Sequence, residues 1–439
     1  METIALAGQL SQEIFNGTQP YANLLSRPQQ FNFREIIRGM LLSGSTYLNR
    51  IGKVNGASKN ERKTIERLSN ALTKIPTEAF AALHVQNQMS QYRNEPVLIL
   101  SDGGDIQKPY AKKMGSVCKV VDGSNGHKPG TGYPLHGMMA LGLESGHLSA
   151  LALRTYSTLD ESFKSEWDEQ LKNFKMLRPF IVSSAFDRIV VEDRGCDDGK
   201  RFLYFVNELE CSFVTRIHAG AKSRRFMVQT EEGEFESMKV NEMAAKLKCK
   251  AGSERIWWNQ KTKTELTSKI AFQRVFLPEH LDIPLYAIFC YSEGYDEPLV
   301  ILTDLETGNF EQAWRHFFYY KKRWEVENFY RAIKQQFGVE EFLILDFEKI
   351  KALLFAVMLA YGLLMKIKWK LKQFLGFLYI IFKDFCDQRQ KSGTHPLDIL
   401  AFLRDHFVQT QTGNFYRFYS RRFRKFLYGS TKNQLQIFN

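Results

Sequence analysis

The stretch FEQAWRHFFYYKKRWEVENFYRAIKQQFG, residues 310–338, contains no proline and predicts one long helix. Tyr320, Arg323, Glu327 and Lys334 follow one another in it at spacings of three, four and seven residues. At about 100° per residue, these positions fall within an arc of about 60° on one helix face. The pattern therefore predicts a phenol, a guanidinium, a carboxylate and an ammonium group along a single stripe.

Two interpretations of this stripe are open. Polar residues at such spacings are common on solvated helix faces, where they form separate ion pairs. Alternatively, the carboxylate holds a divalent metal ion while the cations beside it bind a polyanion such as a DNA backbone. The second interpretation requires that other parts of the chain bring further acids to the same place.

Two upstream segments supply such acids. In residues 97–114, VLILSDGGDIQKPYAKKM, the apolar run VLIL predicts a buried strand, and Asp102 comes just past its carboxyl end. In residues 186–202, FDRIVVEDRGCDDGKRF, Asp193 follows the short strand IVV in the same way. Open α/β sheets bind ligands at the carboxyl ends of their strands. Together with Glu327, the two aspartates would form an all-oxygen site for a hard cation such as Mg²⁺.

Neighbouring acids compete for these roles. Asp105 is the alternative to Asp102, which lies nearer the end of the predicted strand. Asp197 and Asp198 are alternatives to Asp193, although they lie deeper in a glycine-containing turn. Each of these residues could instead be a turn former whose side chain bonds its own backbone.

The spacing Tyr-x2-Arg-x3-Glu-x6-Lys resembles the signature of a large branch of bacterial insertion-sequence transposases, the DDE type with an RNase H-like catalytic core. The segments DGGDIQKPYA and VVEDRG resemble that family's first and second aspartate blocks, and a DGS…GY-x-LH segment follows the first block. The resemblance runs from about Ala5 to Phe407, with the three blocks in the family's order. It implies an α/β fold, in which an RNase H-like mixed-sheet core carries a β-rich insertion and is flanked by helical N- and C-terminal domains.

The resemblance also implies roles for individual residues. Asp102, Asp193 and Glu327 would be the catalytic metal ligands, with Mg²⁺ as the cofactor and Mn²⁺ as the alternative. The DNA- and phosphate-binding residues would be Tyr320, Arg323, Lys334 and Arg194. The implied activity is cut-and-paste transposition: metal-dependent strand cleavage at the transposon ends, then transfer of the freed 3′-hydroxyl into target DNA.

One segment departs from the family's pattern. In the branch that cuts through a DNA hairpin, an aromatic residue at the start of the strand before the glutamate helix stabilises a flipped base. The corresponding residue here is Leu299, so the resemblance does not imply a hairpin step. Trp257 and Trp258 could supply a stacking surface instead, or could form a buried pair inside the insertion.

Composition favours a nucleic-acid partner without proving one. The chain has 439 residues, of which 44% are hydrophobic and 25% charged, as in globular proteins of more than one domain. Its net charge of +12 suits a polyanion, and the expected partner is double-stranded DNA, both the terminal inverted repeats and the target. Near the C-terminus, a basic segment without acids either binds nucleic acid or is a solvated tail. Its basic residues are Arg417, Arg421, Arg422, Arg424, Lys425 and Lys432.

Other sequence features exclude several classes of protein. The six cysteines are scattered without a C-x-x-C pair, so no zinc site or disulfide framework is indicated. The start of the chain lacks the charged region and the unbroken apolar core of a secretory signal. The longest apolar run, residues 352–365, is short for a bilayer span and is followed at once by lysines. We therefore expect no membrane partner and a bacterial cytoplasmic, nucleoid-associated protein.

The chain divides into four predicted regions. They are a helical DNA end-binding domain (1–85), an RNase H-like core (95–215 and 305–350), a β-rich insertion (216–304) and a helical C-terminal region (351–439). In the first region, a helix, a Ser-Gly-Ser turn and a second helix opening at Ser45 or Thr46 have the spacing of a helix-turn-helix. The apolar C-terminal helices either pack as a pair behind the core or form the surface of a homodimer in the DNA complex.

Two other functions compete with transposition. One is an RNase H-like DNA nuclease without transposition, and the other is a domesticated DNA-binding protein without catalysis. The helical N-terminal region argues for recognition of specific DNA ends and against the first. The presence of an acid at all three expected positions argues against the second.

Overall fold

The computed structural model describes residues 11–55, 60–122, 128–259 and 262–374. The basic segment near the C-terminus lies outside these residues. Among the described residues, those of Glu78–Arg331 form one compact unit, and those before and after this range form another.

The unit Glu78–Arg331 is built on a mixed sheet that has twelve strands in the described part of the chain. In chain order they are β1 (Val97–Gln107), β2 (Cys118–Asp122), β3 (Lys128–Gly142), β4 (Leu148–Thr155), β5 (Arg188–Glu192), β6 (Ser212–Ile217), β7 (Arg225–Gln229), β8 (Phe235–Lys239), β9 (Gly252–Asn259), β10 (Thr264–Leu277), β11 (His280–Ser292) and β12 (Leu299–Thr303). The order across the sheet is β2-β3-β1-β5-β6-β12-β11-β10-β7-β8, with β4 paired to β3 and β9 paired to β10.

The described α-helices with defined bounds occur before, between and after these strands. They are α1 (Arg27–Ser43), α2 (Leu48–Val54), α3 (Glu61–Leu72), α4 (Thr77–Met89), α5 (Glu166–Val182), α6 (Gly199–Leu203), α7 (Val240–Leu247), α8 (Phe310–Lys322), α9 (Trp324–Gln336) and α10 (Phe347–Phe374). The chain is therefore a mixed α/β protein with a large mixed sheet, as the sequence predicts.

The centre of the sheet is parallel and buried on both faces. Strands β1, β5 and β6 run parallel, while the other pairings are antiparallel. All residues of β5 are buried, and so are the first four of β1. Strands covered on both sides read as continuous apolar runs rather than alternating ones, which explains the VLIL and IVV segments.

One face of this centre packs against α5. Val97, Ile99 and Val190 point to the same side of the sheet and join a core with Phe174 and Leu177 of α5. Residues at alternate positions along a strand share a face, so this is the side of odd-numbered β1 residues. Full burial of each such side chain stabilises the fold by about 1.5–3 kcal/mol.

The opposite face packs against α8. This helix lies on β5, β6, β10, β11 and β12. Trp314 of α8 donates its indole N–H to the Ser253 carbonyl at 2.7 Å, and the rings of Phe317 and Trp257 lie 5.4 Å apart. Strands β7–β12 of the β-rich segment thus continue the same sheet, and α8 packs on strands of both parts of it.

The second unit contains the N-terminal helices and α10. Gly44 ends α1 in the left-handed conformation with φ 55°. The next helix begins at Leu48, so the prediction that it opens at Ser45 or Thr46 is wrong. The reason is that both side chains have partners outside a helix. Ser45 Oγ accepts from the Tyr47 amide within the turn, and Thr46 Oγ1 donates to the carbonyl of the distant residue Gly338.

The apolar part of α10 is longer than the run of residues 352–365 from which the sequence argument was made. Phe347–Ile367 has the length and composition to cross a membrane, with a mean hydropathy of 1.9, so the argument from a short run was wrong. However, 78% of its most apolar window is buried inside the protein, as in core helices. Phe355 of this helix packs against Tyr21 and Phe33 of the same unit.

Candidate active site

The position of Asp102 is set by two different pairings of β1. The parallel pairing with β5 ends at Leu100, which faces Val191. The antiparallel pairing with β3 continues, and Asp102 faces Gly137. Asp102 was predicted to lie past the end of the strand. Instead it lies within β1, at the point where β1 separates from β5, because one neighbouring strand is longer than the other.

Asp193 follows β5 directly, as the sequence predicts. It precedes the short 3-10 turn Arg194–Cys196, and its carbonyl accepts from the Cys196 amide at 2.9 Å. The hydroxyl of Tyr320 donates to Asp193 Oδ1 at 2.9 Å. The end of β5 is thereby linked to the end of α8.

The stretch 310–338 is two helices rather than the one long helix that was predicted. Helix α8 ends at Lys322 and α9 begins at Trp324, with Arg323 between them. The amide of Arg323 bonds the carbonyl of Tyr320, and the amide of Val326 bonds the carbonyl of Arg323. These bonds span three residues rather than four, which tightens the chain at this point.

Arg323 brings the three predicted acids together. Its guanidinium contacts Asp102 Oδ2 at 2.6 Å, Glu327 Oε1 at 2.5 Å and Asp193 Oδ2 at 3.6 Å. The arginine side chain is 10% exposed, whereas the acids are 22%, 34% and 31% exposed for Asp102, Asp193 and Glu327. Three carboxylates therefore share one cation at a partly open site.

The pKa values of the two aspartates at this site are shifted in opposite directions. Burial, together with the charges of Asp193 and Glu327, raises the pKa of Asp102 to about 7, although Arg323 acts in the opposite direction. Burial also acts to raise the pKa of Asp193, but Arg323, the Arg194 amide and the Tyr320 hydroxyl outweigh it, and this pKa lies below its usual value. The carboxyl group of Asp102 is therefore the less easily ionised of the two.

Tyr330 holds the backbone of Asp102, a role that the sequence analysis missed. Its hydroxyl donates to the Asp102 carbonyl at 2.8 Å. A Cβ atom on Gly104 would lie 2.9 Å from Tyr330 Cζ, and one on Gly137 would lie 2.8 Å from the hydroxyl oxygen. The ring thus fits only because two glycines leave space for it. Gly104, two residues after Asp102, was the sequence signal for such a close approach.

The other two predicted phosphate-binding residues, Arg194 and Lys334, differ in their surroundings. Arg194 is exposed on the turn after Asp193. Lys334 belongs to the other compact unit, where its ammonium group is 3.1 Å from Glu340 Oε1. The sequence analysis missed two other cations that act on this site. Arg216 adds a smaller lowering effect on the pKa of Asp193 to those of the groups named above. Lys321 interacts electrostatically with Glu327, and its ammonium group lies 4.1 Å above the Trp257 ring.

The competing aspartates have other partners. Asp105 accepts from Gln107 Nε2 at 2.6 Å. Asp197 pairs with Arg224 at 2.8 Å, and Asp198 accepts from the Lys200 amide at 3.0 Å as the N-cap of α6.

The two tryptophans of β9 have different environments. Trp257 is buried against α8, whereas Trp258 is 49% exposed. The sequence left open whether the two tryptophans form a stacking surface or a buried pair. In the structure one is buried and one is exposed, because adjacent residues of a strand face opposite sides.

A separate polar network lies beneath the acids on the α5 side of the sheet. His136 Nε2 bonds Ser101 Oγ at 2.9 Å, and Ser101 Oγ donates to Glu192 Oε1 at 3.2 Å. Arg201 forms a buried ion pair with Glu192 through two nitrogens. Ser101 and Glu192 immediately precede Asp102 and Asp193, so this network fixes the two strand positions that present the acids.

The acids are the right chemical type for a divalent metal. Carboxylate oxygens are preferred by Mg²⁺ and Mn²⁺. Within the described residues, however, no group of three His, Cys, Asp or Glu side chains is arranged to hold a metal ion. The carboxylates of Asp102 and Glu327 are instead turned toward Arg323. The donor set fits such an ion, and the arrangement is that of a site whose charge is neutralised by a side chain.

One family model matches a part of the chain that includes α8 and α9 and extends into α10. Residues 305–363 match the family model of the transposase DDE domain. This match supports a DDE transposase, and the large mixed sheet with its helices is compatible with an RNase H-like transposase. No curated protein matches the chain.

Proposed function

We propose that this protein is a DDE transposase of the insertion-sequence type, which cuts DNA at transposon ends and transfers the 3′-hydroxyl into target DNA. The observation that carries the proposal is the meeting of Asp102, Asp193 and Glu327 at one guanidinium. These acids come from β1, from the end of β5 and from α9, and only the last lies inside the family match. Solvated ion pairs along one helix would not gather two aspartates from the sheet.

The same acids would hold Mg²⁺, or Mn²⁺ in its place. Such ions, when bound, activate water and stabilise the leaving oxygen of a phosphodiester. The chain itself supplies alignment: Tyr330 fixes the Asp102 backbone and Tyr320 holds Asp193. Both steps of transposition are phosphoryl transfers, which depend on in-line geometry and on neutralised charge.

Phosphates of the cleaved end would be bound by Tyr320, Arg323, Lys334 and Arg194. The exposure of Arg194 beside Asp193 supports this role for Arg194. Arg216 and Lys321 add positive charge near the same acids. Burial lowers the pKa of Lys321 to about 8, so a nearby phosphate would favour its charged form.

The remaining parts of the proposal concern partners. The helices α1–α3 would recognise the terminal inverted repeats, and two protomers would join two DNA ends in a homodimer. The net charge of +12 supports a DNA partner.

Cleavage of the flanking DNA tests this function. Purified full-length protein is incubated with end-labelled DNA from the borders of its gene and with Mg²⁺, and the products are resolved on a denaturing gel. We expect nicks at the element's ends in the wild type, and a loss of about 1000-fold or more in Asp102→Asn, Asp193→Asn and Glu327→Gln.

Asp105→Asn is the matched control, since it removes a neighbouring carboxylate that binds Gln107. We expect it to retain cleavage. An active Asp102→Asn protein beside an inactive Asp105→Asn protein would refute the ligand assignment. Cleavage without any joined product in the presence of target DNA would favour a nuclease, and DNA binding without cleavage would favour a non-catalytic protein.

A further inference from the structure

The Arg323 guanidinium lies among the three acids that are proposed to hold a divalent cation. Its terminal nitrogens contact Asp102 Oδ2 and Glu327 Oε1, and Asp193 Oδ2 is the third carboxylate oxygen around it. Three carboxyl groups face the one guanidinium there. A guanidinium and a metal ion seeking the same oxygens would repel each other, so the two cations compete for the carboxylates.

Two tyrosine hydroxyl groups hold the Asp102 backbone and the Asp193 side chain through bonds that do not involve Arg323. Tyr330 bonds the Asp102 carbonyl, and Tyr320 bonds the other oxygen of Asp193. Glu327 lies in the first turn of α9, where its helix fixes its position. The cluster can therefore keep its geometry after the guanidinium has moved away.

Arg323 itself is suited to such a movement. It lies between α8 and α9 rather than inside either helix. Its Nε atom is buried and has no hydrogen-bond partner among the described residues, so only the terminal nitrogens anchor the group. An arginine freed from carboxylates presents a planar fork of donors that matches a phosphate.

We propose that Arg323 is a positioning residue that holds Asp102, Asp193 and Glu327 together in the metal-free protein and releases them when a divalent cation binds. The released guanidinium is then available to a phosphate of the DNA. This inference rests on the proposed function, because it takes the three acids to be the metal ligands. It adds that metal binding and phosphate binding by Arg323 are coupled.

Binding of Mn²⁺ alone, without DNA, tests the proposal. The free Mn²⁺ concentration is followed by electron paramagnetic resonance as full-length protein is titrated. We expect Arg323→Gln to bind Mn²⁺ about threefold to tenfold more tightly than the wild type, because the competing cation is gone. Arg323→Lys should fall between the two, since it keeps the charge but cannot bridge several carboxylates.

Arg315→Gln is the matched control. It also removes a positive charge, from an exposed position on α8, and we expect its Mn²⁺ affinity to remain within about twofold of the wild type. A general loss of structure would weaken binding, so tighter binding is a result that damage to the fold does not produce. Circular dichroism of each variant verifies folding.

Two failures are distinguishable. If Arg323→Gln and Arg323→Lys bind Mn²⁺ no more tightly than the wild type, the positioning role is wrong while the ligand set stands. If Asp102→Asn and Glu327→Gln bind Mn²⁺ as well as the wild type does, the proposed metal site itself is wrong.

Discussion

Two arginine–carboxylate clusters lie on opposite faces of the sheet. Arg201 and Glu192 form the buried cluster, and Arg323 with Asp102, Asp193 and Glu327 forms the open cluster. Arg201 and Glu192 are almost fully buried, with exposed side-chain fractions of 7% and 0%. Arg323 contacts acids that are 22–34% exposed. Because neighbouring strand residues alternate in direction, Glu192 and Asp193 serve different clusters although they adjoin in sequence.

The clusters also differ in charge balance. Arg201 faces one carboxylate and donates further to Gln170 Oε1 at 2.7 Å, so its polar groups are satisfied within the protein. Arg323 faces three carboxyl groups, so the acids outnumber the guanidinium at the open face. A buried, balanced pair has no reason to exchange its partner, whereas an exposed excess of acids is a site for another cation.

Breaking the buried pair should have the largest effect on stability. Arg201→Met would leave Glu192 charged and unpaired, which costs about 3–5 kcal/mol of the free energy of unfolding. Denaturant unfolding measures this loss. We expect Arg323→Gln to cost much less, because water can reach its carboxylates. An equal or larger loss for Arg323→Gln would contradict the contrast between the clusters.

The buried cluster should also make stability depend on pH through His136. Burial, followed by the charges of Arg201 and Arg154, lowers the pKa of His136 to about 3. Its Nδ1 accepts from Asn173 Nδ2 at 2.8 Å, which requires the neutral ring. Since the unfolded chain takes up the proton first, this stability is full above about pH 6.5 and is lost as the pH falls toward 3.

At pH 5 the loss from this residue should be about 2 kcal/mol relative to pH 7. Denaturant unfolding of wild type and His136→Gln at several pH values measures the difference. We expect the variant to be less stable at pH 7 but to lose less on acidification. Identical slopes for the two proteins would show that His136 is not held neutral.

DNA cleavage at the open cluster should be sensitive to small changes around Tyr330, which holds the Asp102 backbone. Gly104→Ala would place a methyl group 2.9 Å from Tyr330 Cζ and displace the ring that holds the Asp102 backbone. We expect DNA cleavage to slow by about 10- to 100-fold with the fold intact. The matched control is Gly103→Ala, whose Cβ would meet no atom within 4 Å. Equal rates for the two variants would contradict the role of Tyr330.

The α/β class was implied by the family resemblance. The sequence itself predicted buried strands from the apolar runs in β1 and β5. It predicted that Asp193 follows a strand, but not that β1 continues through Asp102, since strand length depends on a distant partner, β3. The break at Arg323 was also invisible, because no proline or glycine marks it. Local spacing carries no information about such long-range contacts.

The sequence predicted the acidic residues of the candidate site, but it did not predict the contacts that hold them in place. The acids were predicted from two strand ends and one helix face, the resemblance implied the same residues, and their role as ligands stays a prediction. The network of Ser101, His136, Glu192 and Arg201 was missed because its members are spread along the chain, and nothing in their spacing indicates contact. Tyr330 was missed because the signature directed attention to Tyr320 on the preceding turns.

Anomalous diffraction from crystals of the wild-type protein grown with Mn²⁺ tests the central claim most directly. We expect a manganese peak about 2.0–2.4 Å from carboxylate oxygens of Asp102, Asp193 or Glu327, with the Arg323 guanidinium withdrawn from them. A structure that lacks manganese at these acids at saturating Mn²⁺, with Arg323 still bound to all three, would contradict the account.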